Sequence, residues 1–132
     1  MSLVVVDTSV WARLAQAPVA NAVIEAIESH SVAMPTSVLL ELLRSARNAR
    51  ELTALADEYS ELHQIQLTEA VGRRALAVQA ALSGRGYHRA PSLADLLTAA
   101  AAESVGAELW HCDRDFELIA EATGQRLRRL GR

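Results

Sequence analysis

The chain holds 16 acidic residues, of which only five are aspartate: Asp7, Asp57, Asp95, Asp113 and Asp115. Four of the five fall where a predicted strand or helix begins or ends, and one glutamate, Glu41, interrupts a run of leucines. Carboxylates in such places do one of two jobs. They cap a helix N-terminus, or they gather in space and hold a hard divalent cation.

Asp7 ends the run Leu3-Val4-Val5-Val6. An unalternated apolar run that short reads as a strand buried on both faces, in the middle of a parallel sheet. The carboxyl ends of such strands are where open α/β sheets place their ligands. Asp7 also suits the N-cap of a helix starting near Ser9. Glu41 stands between Val38-Leu39-Leu40 and Leu42-Leu43, and a helix that is apolar nearly all round is a buried one. A carboxylate there is costly unless paired or metal-bound; an edge position paired with Arg44 or with groups on the Ser37 side is the plainer alternative. Asp95 follows Ser92 by three residues, a variant capping box, and a first-turn acid can still offer an oxygen to a cation. In Asp113-Arg114-Asp115 one acid suffices to cap the helix that follows. Asp113 is therefore assigned to the site, and Asp115 to a supporting or second-metal role.

If Asp7, Glu41, Asp95 and Asp113 converge, their oxygen-only ligand set suits Mg²⁺ or Mn²⁺ in place of zinc or copper. One or two such ions would neutralise the cluster and clamp a phosphodiester for in-line attack by water, one lowering the pKa of the water and the other stabilising the leaving oxygen. No side-chain nucleophile competes with this reading. His111 and Cys112 are neighbours in a predicted strand and point to opposite faces. The histidines at 30, 63, 88 and 111 lack zinc-ligand spacing, and there is no glycine-rich phosphate loop.

The elements that must position these acids alternate along the chain. Strands are predicted at Leu3–Val6, Ser31–Met34, Ile65–Leu67 and Glu108–Cys112, with a short edge strand over Arg126–Leu130. Helices are predicted from Thr8 to Gln16, from Pro18 through Ile27, from Thr36 or Ser37 (the N-cap) to Arg44, and from Glu51 to Leu62. Three more follow: from Thr68 to Gly84, from Ser92 with Leu93, Leu96, Leu97 and Ala100 as its buried stripe, and from Asp113 to about Gly124. Strands interleaved with helices make one α/β domain over 1–132, Rossmann-like, with a mainly parallel central sheet flanked by helices. Gly84–Pro91 is the one clear loop.

In order along the chain, Val6-Asp7-Thr8-Ser9-Val10, Leu40-Glu41-Leu42, Leu93-Ala94-Asp95-Leu96-Leu97-Thr98-Ala99-Ala100-Ala101 and Cys112-Asp113-Arg114-Asp115-Phe116-Glu117-Leu118-Ile119-Ala120 resemble the motifs of PIN domains. More narrowly, they resemble the VapC-type toxin ribonucleases of bacterial toxin–antitoxin pairs. The resemblance spans essentially the whole chain. It implies Mg²⁺- or Mn²⁺-dependent endoribonuclease activity, frequent homodimers, and a small antitoxin whose C-terminal segment blocks the site. Carried over residue by residue, Asp7, Glu41, Asp95 and Asp113 are the catalytic acids, and Asp7, Asp95, Asp113 and Asp115 the metal ligands. Ser9, or Thr8, orients the first acid or a metal water. His111-Cys112 departs from the pattern, in which threonine often precedes the last acids.

Arg85, His88 and Arg89 in the glycine-bounded loop, and Arg114 between the last two acids, are candidate contacts to an RNA backbone. The apolar hairpin from Thr36 to Leu62 is the candidate antitoxin groove or dimer face. The net charge of −3 speaks against a nucleic-acid partner at first sight. With those four acids set against metal charge, however, the rest of the chain carries +1. All 13 residues counted as lysine or arginine are arginine, the side chain that grips phosphate bidentately. One cysteine excludes an internal disulfide, and no apolar run reaches membrane-spanning length, so a cytoplasmic protein without a membrane partner is expected. The rival readings are a Mg²⁺-binding receiver domain, a haloacid-dehalogenase-type phosphatase and a non-catalytic PIN-like module binding RNA or protein. The first two require a lysine that this chain does not have.

Overall fold

In the computed structural model, which describes residues 2–132, three valines form the central strand β1 (Val4–Val6) of a five-stranded sheet. The chain continues through α1 (Thr8–Trp11), α2 (Ala17–Glu28), β2 (Val32–Pro35), α3 (Thr36–Leu43), α4 (Ala49–Tyr59), β3 (His63–Ile65) and α5 (Glu69–Ser83). It ends with α6 (Leu93–Ser104), β4 (Glu108–His111), α7 (Arg114–Thr123) and β5 (Leu127–Arg129). The strand order is β3-β2-β1-β4-β5, and every pairing is parallel.

Because side chains alternate along a strand, β1 serves two cores. Val5 packs into the cluster of Val71, Ala75, Val78 and Leu82 from α5, Leu96 and Ala99–Ala102 from α6, and Phe116 and Ile119 from α7. Val4 and Val6 face the opposite side, with Val10 of α1 and Val19, Val23 and Ala26 of α2. The sheet is thus covered on both faces, which is what an all-valine strand requires. Among the described residues no helix is long and apolar enough to cross a membrane.

Local chemistry starts the helices, at the predicted caps for α5 and α6 and two residues before the predicted Glu51 for α4. Thr68 accepts from Val71 N–H, Asn48 from Glu51 N–H, and Ser92 and Asp95 form the reciprocal box at the head of α6. Gly124 closes α7 at φ 73°, the left-handed conformation glycine adopts without steric cost.

Several expectations are corrected. The first helix stops after one turn, because the Arg13 guanidinium takes the Ser9 carbonyl at 2.6 Å, the group the next turn would use. The third strand lies at His63–Ile65, two residues early: pairing with β2 sets it, and Leu67 stays exposed. Helix α3 is capped by neither hydroxyl, since Pro35 holds the cap position, Thr36 donates to the Ile65 carbonyl and Ser37 is buried. Nor is α3 buried all round. Leu40 is 58% exposed and Glu41 half-buried, so the cost of burial is not what singles out this carboxylate. No residue of α4 is buried, and Leu93 of α6 is 76% exposed, outside the buried stripe expected to include it.

Phe116, fully buried, lies with its ring centroid 5.7 Å from that of His111, beneath the helix start that carries Asp113 and Asp115. Phe116→Ala is expected to lower unfolding stability by about 3–5 kcal/mol, read as a reduced urea midpoint at unchanged m-value.

Candidate active site

Asp7 leaves β1 at the carboxyl end of the sheet and turns the chain into α1. Its Oδ2 accepts from Ser9 N–H at 2.9 Å and from the Ser9 hydroxyl at 2.6 Å. The same hydroxyl accepts from Cys112 N–H at 3.0 Å, so Ser9 ties Asp7 to the segment that follows β4. The Asp7 N–H, in turn, donates to the Trp110 carbonyl of β4. Next to it, the Thr8 hydroxyl donates to Glu41 Oε1 at 3.0 Å, across 33 residues of sequence. Ser9 therefore holds the first acid, and Thr8 holds Glu41.

Asp95 is the third residue of α6. Its Oδ2 accepts from Ser92 N–H at 3.1 Å, while the Ser92 hydroxyl accepts from Asp95 N–H. Asp113 caps α7 with Oδ1 accepting from Asp115 N–H at 2.9 Å. Behind it the buried His111 ring places Nδ1 2.9 Å from the Asp113 carbonyl and 3.2 Å from its N–H, and holds one or the other according to tautomer. Among the described residues, each of the three aspartates spends one carboxylate oxygen on a helix start. Capping and ligation are compatible because the second oxygen is left over.

A cavity of about 500 Å³ opens on these groups. It is lined by Asp7, Thr8, Ser9, Glu41, Asp95, Asp113 and Asp115, with Ala12, Arg89 and the Ala90–Ser92 turn completing the wall. Within it Asp95, Asp113 and Asp115 each offer an oxygen within 4.8 Å of the others, a spacing that suits one cation. Asp7 and Glu41 share the cavity but stand outside this trio. Asp115 belongs to it. Of the candidate cationic residues, only Arg89 lines the cavity. Arg85 pairs with Glu121 of α7 at 3.3 Å, and His88 and Arg114 are exposed away from the lining. The buried pair Ser37 and Thr98, joined at 2.7 Å between α3 and α6, was not foreseeable. Two isolated hydroxyls 61 residues apart carry no pattern.

The electrostatics are those of crowded like charges. Burial, followed by the charges of Asp7 and Asp113, raises the Asp95 carboxyl to about 6, against the opposing hydrogen bonds from Ser92. Burial and Asp113 also raise Asp115, and burial lowers His111. A site that resists its own ionisation is one that gains from a cation.

A family model described as "PIN domain" matches residues 4–122. Ribonuclease VapC18 of Mycobacterium tuberculosis is 38% identical over 122 residues, covering 91% of this chain and 89% of that protein. Ribonuclease VapC51 of the same organism is 41% identical, covering 90% and 86% respectively. Among solved structures, the DNA-bound VapBC2 complex of Rickettsia felis contains a chain that matches at TM-score 0.76 and 16% identity, with 98% of this chain and 99% of that one covered. The VapBC-5 structure from Mycobacterium tuberculosis matches at TM-score 0.70 and 22% identity, covering 98% and 100%.

The raised Asp95 value sets a pH dependence for the metal-free fold. Between its ordinary 3.8 and about 6 the folded chain binds a proton there that the unfolded chain does not, so this group adds stability as pH falls through that window. Above about 6 the folded state carries the full cost of the charge. In EDTA, Asp95→Asn is expected to raise Tm at pH 7.5, and the gain is expected to vanish as pH approaches 4, measured by thermal unfolding across that range.

Proposed function

Since the chain belongs to the PIN-domain family, we propose that it is a divalent-metal-dependent endoribonuclease, the toxin of a toxin–antitoxin pair. The observation that carries this reading is the single cavity lined by acids from four separated segments, Asp7, Glu41, Asp95 and Asp113 with Asp115. The ribonuclease names of the VapC relatives support RNA as substrate, and the VapBC complexes among its structural neighbours support a small antitoxin partner.

The donor set fits a hard cation: all oxygen, with three carboxylates close enough to share one ion. Asp95, Asp113 and Asp115, together with Asp7, would hold Mg²⁺ or Mn²⁺, as one or two ions. When bound, the ion supplies Lewis-acid charge that lowers the pKa of water and offsets the phosphodiester's negative charge. The chain's own groups do the rest. Glu41, fixed by Thr8, orients the attacking water and takes its proton. The water oxygen bonds to phosphorus as the opposite P–O bond breaks, the leaving oxygen takes a proton from solvent, and Glu41 returns its proton to solvent. Arg89 at the rim pairs with the RNA backbone; the outlying Arg85, His88 and Arg114 are assigned to flanking nucleotides.

The antitoxin is assigned to the apolar side of the α3–α4 hairpin, where Leu40 and Leu52 are exposed beside the helix that carries Glu41. The active form is proposed to be a homodimer in the cytoplasm. A non-cleaving PIN-like module is the reading left if catalysis fails.

The decisive experiment incubates the refolded protein with total cellular RNA in Mn²⁺, with and without EDTA. Cleavage in Mn²⁺ that EDTA abolishes is expected; metal-independent cleavage, or none, would falsify the proposal. Asp7→Asn keeps the side chain's size and removes its charge. Its cleavage rate is expected to fall on the order of a hundredfold or more, with Tm retained. Glu41→Gln is expected to cut the rate by a similar factor.

A further inference from the structure

We propose that Ser37 and Thr98 are positioning residues that hold α6, and with it the metal-binding Asp95, in register against α3 on the other side of the cavity. The inference rests on the metal-dependent reading of that cavity and goes beyond it in naming what holds its two sides in register. Ser37 is 4% exposed and Thr98 fully buried, and their hydroxyls meet at 2.7 Å between α3 and α6. Each is one helical turn from a carboxylate on its own helix. Ser37 precedes Glu41 by four residues, and Thr98 follows Asp95 by three, spacings that put each pair on one helix face.

The need for such a link follows from what else α6 offers. Its buried surface is Leu96 and the alanines Ala99, Ala100, Ala101 and Ala102. A run of like methyl groups packs well but specifies register weakly. The directional bonds α6 makes elsewhere, from Gln125 Nε2 to the Ala99 carbonyl at 2.8 Å and from Arg74 to Glu103, tie it to the segment after α7 and to α5 and not to α3. A slip of one residue advances a helix by about 1.5 Å and turns it by roughly 100°, enough to take Asp95 off the cavity wall. A buried hydrogen bond has a direction and a short range, and moving either hydroxyl strands the other without a partner. That penalty, absent from the alanine contacts, locks α6 against α3. Thr8 then fixes Glu41 on the α3 side, and Ser92 fixes Asp95 on the α6 side.

The test is Mn²⁺ binding by calorimetry on the wild type, Ser37→Ala, Thr98→Val, the double variant and Thr98→Ser, with Tm measured without metal. Thr98→Val keeps the shape and breaks the link, and Mn²⁺ affinity is expected to weaken about tenfold, as for other groups that orient metal ligands. The double variant is expected to bind no more weakly than either single, because all three lose the same bond. It strands no hydroxyl, so it is expected to recover thermal stability relative to the singles while its affinity stays low. Thr98→Ser, which keeps the hydroxyl, is expected to bind like the wild type.

A folded Thr98→Val or double variant with wild-type affinity overturns the inference and leaves the proposed function standing. Failure of every hydroxyl-less variant to fold also overturns it, marking the pair as a stability element only. A wild type that binds no Mn²⁺ overturns the proposed function, and this inference with it.

Discussion

Carboxylates repel, and this protein gathers five of them around one cavity. Everything at the carboxyl edge of the sheet serves to make that arrangement tolerable. The raised carboxyls of Asp95 and Asp115 record the strain that remains. Part of it is relieved by helix geometry, because Asp95 and Asp113 sit in the first turn or at the cap of α6 and α7, where unpaired backbone N–H groups carry partial positive charge. The rest is relieved by donors aimed at single oxygens: Ser9 at Asp7, Thr8 at Glu41, Ser92 at Asp95. This economy in Asp7, Asp95 and Asp113, one oxygen to the fold and one to spare, lets the same residues start helices and face a ligand.

The sheet provides the rigidity. β1 lies between β2 and β4 with both faces covered, so Asp7 emerges from the central, fully buried strand of the sheet. Ser9 bridges from that acid to Cys112 N–H, immediately before Asp113. Asp7 is therefore tied through one hydroxyl to the segment that carries Asp113, 106 positions further along the chain. The helical side is different in kind. α3 and α4 carry little buried surface, and Trp11 against Tyr59, edge-on at 5.6 Å, is one of the contacts that keep α4 in place. A stiff acid-bearing core thus stands beside a half-exposed helical hairpin.

Much of this could be read from the residues in order. Val4-Val5-Val6 before Asp7, Ser92 three before Asp95, and the acid pair after His111-Cys112 are local patterns, and local patterns are set by backbone hydrogen bonding and side-chain alternation that neighbouring residues control. The caps at Thr68 and Ser92 and the mainly parallel topology follow from the same kind of signal, whereas the cap at Asn48, which starts α4 two residues before the expected Glu51, does not. Glu41 was found for a reason the structure does not keep. A leucine-rich segment looks buried all round whether or not the molecule supplies a second surface to bury it, and Leu40 shows that here it does not.

What the residues alone determined, then, was which side chains stand at element ends and what chemistry they are suited to. Only the tertiary structure decided which of them share a cavity, that Asp115 joins Asp95 and Asp113 while Asp7 and Glu41 stand apart from that trio, and that Arg89 alone of the loop cations reaches the lining. The reason is physical. Capping and alternation act over a few residues, whereas the register of α6 on α3, and the pairing of Thr8 with Glu41 and Ser37 with Thr98, are fixed by contacts between segments distant in the chain.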